Sequence, residues 1–250
     1  MAMQFHLTSL FVAQCGAKPG KEWRNNIPLE KGRNENPISW LDLIAVSAKS
    51  REKAAQISTY TGNKLRQFRS ALENLAEKGL VDLGEPGTGS RYEGFKLLKE
   101  DGSSSGAGAA AYRVPAKSEP IFSVPPEFFI NGWVHVLTKS EIAAYLMWLQ
   151  LGAFHDFITA EWKVRAGMFG LSREVYDTHQ ALAAFGLIEV DKPDERRRDG
   201  TWVDYKRGDD PLLHRIKALP DGPKRNAYDV THAALLKFST CGEWSPPLTT

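Results

Sequence analysis

The amino-acid sequence predicts a helix-rich α+β protein that contains two similar units and a C-terminal helix. Three observations support this prediction. Apolar residues recur at helical spacing in both halves of the chain, a glycine ends the pattern in each half, and a β-like apolar run follows each glycine. The chain has 250 residues, which is enough to build two small hydrophobic cores.

The first 36 residues are predicted to form an N-terminal arm. They include a strand-like apolar run at residues 5–12, followed by a stretch rich in Gly, Asn and Lys. The start of the chain lacks the basic segment and long apolar core of a secretory signal, so we interpret it as a mature N-terminus. The two cysteines lack metal-ligand spacing, and a reducing cytoplasm is the expected location.

The first predicted unit occupies residues 37–115 and begins with two helices. Apolar residues recur from Trp40 to Ala48 at spacings of three and four, which indicates a helix with one buried face. A second, short helix is predicted for residues 51–60. Gly62 is suited to the turn that follows this helix, because glycine readily adopts a positive φ.

The third helix of the first unit is predicted to begin near Lys64. An apolar stripe at helical spacing predicts its buried face, which comprises Leu65, Phe68, Leu72 and Leu75. Gly79 ends this helix before a β-like run at residues 80–83. Helix, turn, helix, glycine and strand therefore follow one another in this order.

The second predicted unit, residues 138–220, has the same order of elements. Thr138 caps a long apolar helix, a shorter helix begins near Thr159, and a third helix runs from Arg173 until Gly186 stops it. Residues 116–137 are predicted to be a linker and interdomain segment.

An internal repeat relates the two units. Residues 57–81 align without gaps with residues 164–188, which pairs Arg66 with Arg173 and Gly79 with Gly186. A repeat of this kind predicts two copies of one supersecondary unit. Residues 221–250 lie beyond the second copy and are predicted to form an amphipathic helix at 226–239 and a tail.

Residues 101–111 are rich in Gly, Ser and Ala, which cannot build a core. Two interpretations of this segment remain open. It is either an interdomain linker or the tip of a β-hairpin in the first unit. The repeat favours the hairpin tip, because the corresponding part of the second unit, residues 192–210, also precedes a closing strand.

Two groups of apolar side chains suggest contacts between the two units or between two copies of the chain. The helix after Thr138 is apolar on almost all sides, which fits a core helix or, alternatively, a homodimer or interdomain seam. Phe128, Phe129 and Trp133 are predicted to hold the two units together, with a ligand pocket as the alternative.

Residues 63–83 and 171–190 resemble the third helix and following strand of the winged helix superfamily of bacterial regulators. Both segments end in the pattern L-x-x-x-Gly-Leu-Val/Ile, which is typical of that junction. The resemblance implies two tandem winged helix-turn-helix domains in a sequence-specific DNA-binding protein, such as a bacterial or plasmid-borne transcriptional regulator. Two such units are also similar to plasmid replication initiators, and winged helices serve as protein-interaction modules in larger assemblies.

A helix-turn-helix places its second helix in the DNA major groove. Four polar side chains lie opposite the apolar stripe of the corresponding helix and near its start: Asn63, Arg66, Gln67 and Ser70. Arg can bond to guanine, and Asn and Gln can bond to adenine, so we expect this face to read bases. Lys64 and Arg69 flank the face and are expected to contact phosphates. An ordinary solvated helix face is the alternative interpretation.

The hairpins, or wings, are predicted to contact the DNA backbone. Arg91 is the candidate residue in the first wing. The second wing carries a basic run, Arg196, Arg197 and Arg198, with acidic residues among its neighbours, so a solvated charged hairpin is the alternative. Arg173 is the candidate on the third helix of the second unit, where Glu174 and Asp177 would repel phosphates.

Composition and motifs exclude several classes of function. The net charge of +2 is too small to indicate a nucleic-acid partner by itself, so the case for DNA depends on where the charges lie. The chain contains no P-loop, GxSxG, HExxH or paired-carboxylate motif, and its six histidines are scattered. We therefore expect a non-enzymatic protein with no cofactor, no metal and no membrane partner. The partner that the resemblance implies is double-stranded DNA.

Overall fold

A computed structural model describes residues 1–32, 37–47, 51–53, 56–88, 90–100, 109–153, 156–193 and 213–242. The chain divides into two compact units, Met1–Ile121 and Phe122–Thr250. The predicted helix-rich α+β class is confirmed, because helices predominate and the described strands form three two-stranded antiparallel sheets.

The described residues of the first unit form three helices and four short strands. The helices are α1 (Ala2–Gly16), α2 (Trp40–Leu43) and α3 (Tyr60–Glu77), and the strands are β1 (Arg51–Lys53), β2 (Gln56–Ser58), β3 (Val81–Asp82) and β4 (Lys96–Leu97). β1 pairs with β2, and β3 pairs with β4. The single residue Glu22, which follows α1, forms a β-bridge with Arg113 at the end of the unit.

Helix α1 replaces the strand predicted for residues 5–12, so that prediction was wrong. Phe5, Ser9 and Ala13 recur at intervals of four residues and are all buried, which gives this segment one continuous helical face. The Phe5 ring lies 5.1 Å from the Trp40 ring and 5.5 Å from the Phe68 ring, between ring centroids. The N-terminal segment therefore contributes to the core of the first unit rather than forming a separate arm.

Residues 51–60 also differ from the prediction, because β1 and β2 form a hairpin where a helix was expected. The helix begins instead at Tyr60, and Thr59 is its N-cap, with an extended backbone and an Oγ1 atom that accepts a hydrogen bond from the Gly62 N–H at 3.0 Å. A cap of this kind stops the helix from extending backwards. Gly62 consequently lies inside α3 and not in a turn.

The end of α3 agrees with the prediction. Leu72 and Leu75 are buried on its inner face. Gly79 has a φ of +68° and donates to the Ala76 carbonyl at 3.0 Å, and Leu80 donates to the Leu75 carbonyl at 3.0 Å. These two bonds are those of a Schellman motif, which requires a left-handed residue and therefore favours glycine.

The second unit contains seven α-helices and two strands among its described residues. They are α4 (Glu127–Ile130), α5 (Trp133–Val136), α6 (Lys139–Leu151), α7 (Trp162–Phe169), α8 (Arg173–Asp177), α9 (His179–Ala184), β5 (Ile188–Asp191), β6 (Arg215–Ala218) and α10 (Ala227–Cys241), with a 3₁₀ turn at Gly222–Lys224. β5 pairs with β6. Ile158, which lies between α6 and α7, forms a β-bridge with Ile216.

The single helix predicted from Arg173 to Gly186 is divided at Thr178 into α8 and α9. The Thr178 Oγ1 donates to the Val175 carbonyl at 2.6 Å and so competes with the helical backbone bonds. Helix α9 then ends as α3 does, because Gly186 has a φ of +67° and Leu187 donates to the Leu182 carbonyl at 3.0 Å.

Two other predicted helix starts in the second unit are confirmed. Thr138 caps α6 in a reciprocal capping box with Glu141. Asn226 caps α10 by accepting a hydrogen bond from the Asp229 N–H at 3.2 Å. The aromatic residues before α6 have partners in this same unit, because the Phe128 ring stacks on Tyr145 and the Trp133 indole donates to the Pro223 carbonyl.

The Gly- and Ser-rich segment lies largely outside the described residues, at positions 101–108. Its flanking residues belong to the first unit. Lys99 donates to the Ala110 carbonyl at 2.9 Å, and Leu98 and Ala111 form a β-bridge. The chain therefore leaves and re-enters this segment as the two arms of one hairpin.

Candidate nucleic-acid interface

The outer face of α3 carries six of the predicted contact residues. Because Phe68, Leu72 and Leu75 turn inward, the opposite face of the helix meets solvent. Three of the six candidates are exposed and three are half-buried: Arg66, Arg69 and Ser70 in the first group, and Asn63, Lys64 and Gln67 in the second. The predicted division between an apolar stripe and a polar face is thus present in α3.

The half-buried candidates have partners in the chain. The Lys64 Nζ lies 4.5 Å from the centroid of the Tyr60 ring, four residues earlier on α3. The Gln67 Nε2 donates to the Ser47 carbonyl at 3.0 Å. The bond to Ser47 must break before the Gln67 amide can bind a base. Arg66 is exposed and can bind a base without losing such a bond.

Arg69 and Arg91, which are 22 positions apart in the sequence, meet at one tyrosine. The guanidinium carbon of Arg69 lies 5.8 Å from the centroid of the Tyr92 ring, and that of Arg91 lies 5.6 Å from the same centroid. Both distances fall within the range of a cation–π attraction. The structure therefore brings a predicted helix residue and a predicted wing residue together.

Glu73 fixes the position of this tyrosine. The Tyr92 hydroxyl donates to the Glu73 carboxylate at 2.5 Å. This hydrogen bond raises the pKa of Tyr92 above its usual value, since ionised tyrosine could not donate it, and desolvation and the negative charge of Glu73 act in the same direction. We call Arg69, Glu73, Arg91 and Tyr92 the Tyr92 cluster.

Sequence reasoning missed Tyr92 and Glu73. Glu73 lies four residues after Arg69 on α3, which is the spacing of side chains that share a helix face. That spacing was a usable signal for Glu73. No comparable signal existed for Tyr92, because its position depends on how the chain between β3 and β4 folds back.

A close backbone approach positions Arg91. Gly84 donates to the Arg91 carbonyl at 3.0 Å, and a Cβ atom on Gly84 would lie 3.2 Å from the Arg91 Cα. A larger residue at position 84 would therefore push the Arg91 backbone away. Gly87, at the intervening turn, has a φ of +83°, which is the left-handed conformation that favours glycine.

The second unit presents a different surface at the corresponding place. Arg173, Glu174 and Asp177 are all exposed on α8. A hydrogen bond from the Ser172 side chain, with a smaller contribution from the Arg173 charge, lowers the pKa of Glu174, so this carboxylate is charged at neutral pH. Arg196, Arg197 and Arg198 lie outside the described residues.

The described part of the chain shows neither a metal centre nor a membrane-spanning helix. It contains no group of three His, Cys, Asp or Glu side chains arranged to hold a metal ion. None of its helices combines the length and apolar character needed to cross a membrane. The chain matches no protein-family model, no curated protein and no solved structure.

Proposed function

We propose that this protein is a sequence-specific double-stranded DNA-binding protein with two tandem winged helix-turn-helix domains, and that it acts as a transcriptional regulator. In this proposal, α3 enters the major groove and the wing between β3 and β4 contacts the backbone. The observation that carries the proposal is the Tyr92 cluster, which holds one arginine of the helix and one of the wing beside the exposed Arg66.

The order of elements supports the same proposal. Each unit contains a helix, a β-bridged residue, a second helix, a third helical segment that ends in a Schellman motif, and a β-hairpin. A winged helix domain has this order. In the first unit the opening helix is α1, and the hairpin formed by β1 and β2 is an addition between the second and third helices.

In this proposal the first unit makes the larger contribution to DNA binding, and the distribution of charge supports this division. The first three turns of α3 expose Arg66 and Arg69, and its exposed carboxylates, Glu73 and Glu77, come later in the helix. Helix α8 instead exposes Glu174 and Asp177 within four residues of Arg173. The negative charges of DNA phosphates repel carboxylates, so we expect α8 to contribute little to the affinity for DNA.

The proposal can be tested by fluorescence anisotropy with the full chain and the DNA upstream of its own coding sequence. A scrambled duplex of equal length is the control, and both titrations are repeated from about 50 to about 200 mM salt. We expect the upstream DNA to bind at least about a thousandfold more tightly than the control. Equal affinity for both duplexes, or no binding to either, contradicts the proposal.

A further inference from the structure

Arg165 is buried in the second unit and has no negatively charged partner among the described residues. The residue is only 8% exposed, and its Nε donates to the Ala160 carbonyl at 3.0 Å. Its Nη1 is buried and has no hydrogen-bond partner. Among the described residues, no carboxylate oxygen lies within 4.0 Å of the guanidinium.

Two aromatic rings lie beside this guanidinium, and a third ring packs against one of them. The guanidinium carbon lies 3.9 Å from the centroid of the Tyr176 ring and 5.9 Å from that of the Trp162 ring. The Trp148 ring lies 6.0 Å from the Tyr176 ring, and its Nε1 is a second buried donor without a partner. These rings stabilise a cation but supply no hydrogen-bond acceptor for Nη1.

Two histidines extend the group without adding negative charge. The His179 Nδ1 lies 2.7 Å from the Tyr176 carbonyl, which only accepts, so Nδ1 carries the proton. His214 Nδ1 lies 3.2 Å from His179 Nε2 and donates to it when His179 is neutral. We call Trp148, Trp162, Arg165, Tyr176, His179 and His214 the Arg165 cluster.

A buried charge with no counter-charge is unfavourable, and proteins usually pair such a group or bind an ion to it. A carboxylate would supply both the hydrogen-bond acceptor for Nη1 and the counter-charge, because its oxygens accept hydrogen bonds and its negative charge balances the guanidinium. The aromatic walls suit an apolar group attached to that carboxylate. Trp162 is 56% exposed, so one wall of the cluster reaches the surface.

We propose that the Arg165 cluster binds a small organic carboxylate, with Arg165 Nη1 as the principal hydrogen-bond donor. The second unit thereby acquires a ligand-binding role that its acidic α8 surface does not provide. The site lies within one unit and does not depend on DNA binding by α3.

The first test measures thermal unfolding of the full chain with benzoate, and with benzamide as the neutral control of the same shape. We expect benzoate to raise the melting temperature in a saturable manner, by about 5 °C or more at a hundredfold excess over its dissociation constant. Benzamide should give no comparable rise. An equal effect of both compounds, or a rise with inorganic phosphate and none with benzoate, overturns the proposal.

The second test locates the effect. Arg165→Met keeps a long side chain and removes the charge, and Lys163→Met removes an exposed charge from the same helix as a matched control. We expect benzoate to stabilise the control variant as it does the wild type, and to leave Arg165→Met unchanged. A full response in Arg165→Met contradicts the assignment.

The wild-type protein provides a measurement that does not depend on the folding of a variant. The Arg165 Nε–H signal in a ¹H–¹⁵N spectrum should shift with benzoate along the same saturation curve as the melting temperature. An unchanged Arg165 signal at saturating benzoate overturns the proposal.

Discussion

The third helical segments of the two units share a backbone ending but differ in the side chains that they expose. Four of the candidate positions on α3 are Arg66, Gln67, Arg69 and Ser70, and the repeat aligns them with Arg173, Glu174, Tyr176 and Asp177. The first set carries two positive charges and the second carries one positive and two negative charges. The two segments therefore share a backbone ending while their exposed side chains differ in charge.

The largest expected effect comes from replacing three exposed side chains of α3 with the side chains that the repeat aligns with them on α8. We expect the triple variant Gln67→Glu, Arg69→Tyr, Ser70→Asp to lose at least about a hundredfold in affinity for specific DNA, because it removes one phosphate contact and adds two negative charges. Anisotropy titration of the full chain measures this loss. The double variant Lys117→Glu, Ala116→Glu, outside α3, is the control for net charge, because it also lowers the net charge by three. Wild-type affinity in the triple variant would show that α3 does not face the DNA.

A smaller effect distinguishes base contacts from phosphate contacts on α3. Arg66→Ala should weaken specific binding by about 1–3 kcal/mol and relax specificity at one base pair. Lys64→Ala should weaken all sequences alike and reduce the salt slope by about one. Arg66→Ala should unfold within about 0.5 kcal/mol of the wild type, as exposed sites usually do. Lys64→Ala should cost more, by about 0.5–1 kcal/mol, because it also removes the contact with the Tyr60 ring. If Arg66→Ala weakens specific and nonspecific DNA equally, Arg66 contacts only the backbone.

The shared backbone ending can be tested through stability. Gly79→Ala and Gly186→Ala both place a Cβ atom on a residue with a φ close to +67°. Each should lower the free energy of unfolding by about 1–2 kcal/mol in urea denaturation. Gly20→Ala is a useful reference, since Gly20 also has a positive φ but is exposed and outside these helix ends. A marked difference between Gly79→Ala and Gly186→Ala would mean that the two endings are not energetically equivalent.

The smallest effect concerns the Tyr92 cluster, which has no counterpart among the described residues of the second unit. Tyr92→Ala removes the ring shared by two guanidinium groups, and we expect it to weaken DNA binding by about 0.5–1 kcal/mol per arginine. Tyr92→Phe keeps the ring and loses only the bond to Glu73, so its loss should be smaller. Equal losses in the two variants would assign the effect to the hydroxyl rather than to the ring.

Local sequence signals predicted the elements that depend on local chemistry. The apolar stripe of α3, the Thr138 cap, the start of α10 near residue 226, and the helix endings at Gly79 and Gly186 follow from a few neighbouring residues. The prediction of a strand at residues 5–12 was wrong because apolar residues occupy several sides of that segment, so its period was ambiguous.

Long-range contacts account for the other differences. The position of Tyr92 depends on the return of the chain between β3 and β4, and the burial of Arg165 depends on packing against Tyr176. Neither contact follows from the spacing of residues near it in the sequence. The candidate face of α3 was predictable because it needs no long-range contact. The spacing of residues along one helix determines which side chains share a face.

The burial of Phe5 affects how the protein folds during synthesis. Its ring packs against Trp40, Phe68 and Phe95, so α1 has no completed core until most of the first unit has left the ribosome. Contacts between residues this far apart slow folding. The apolar face of α1 therefore stays uncovered while residues 40–95 are synthesised, whereas the contacts that end α3 at Gly79 lie within a few residues of one another.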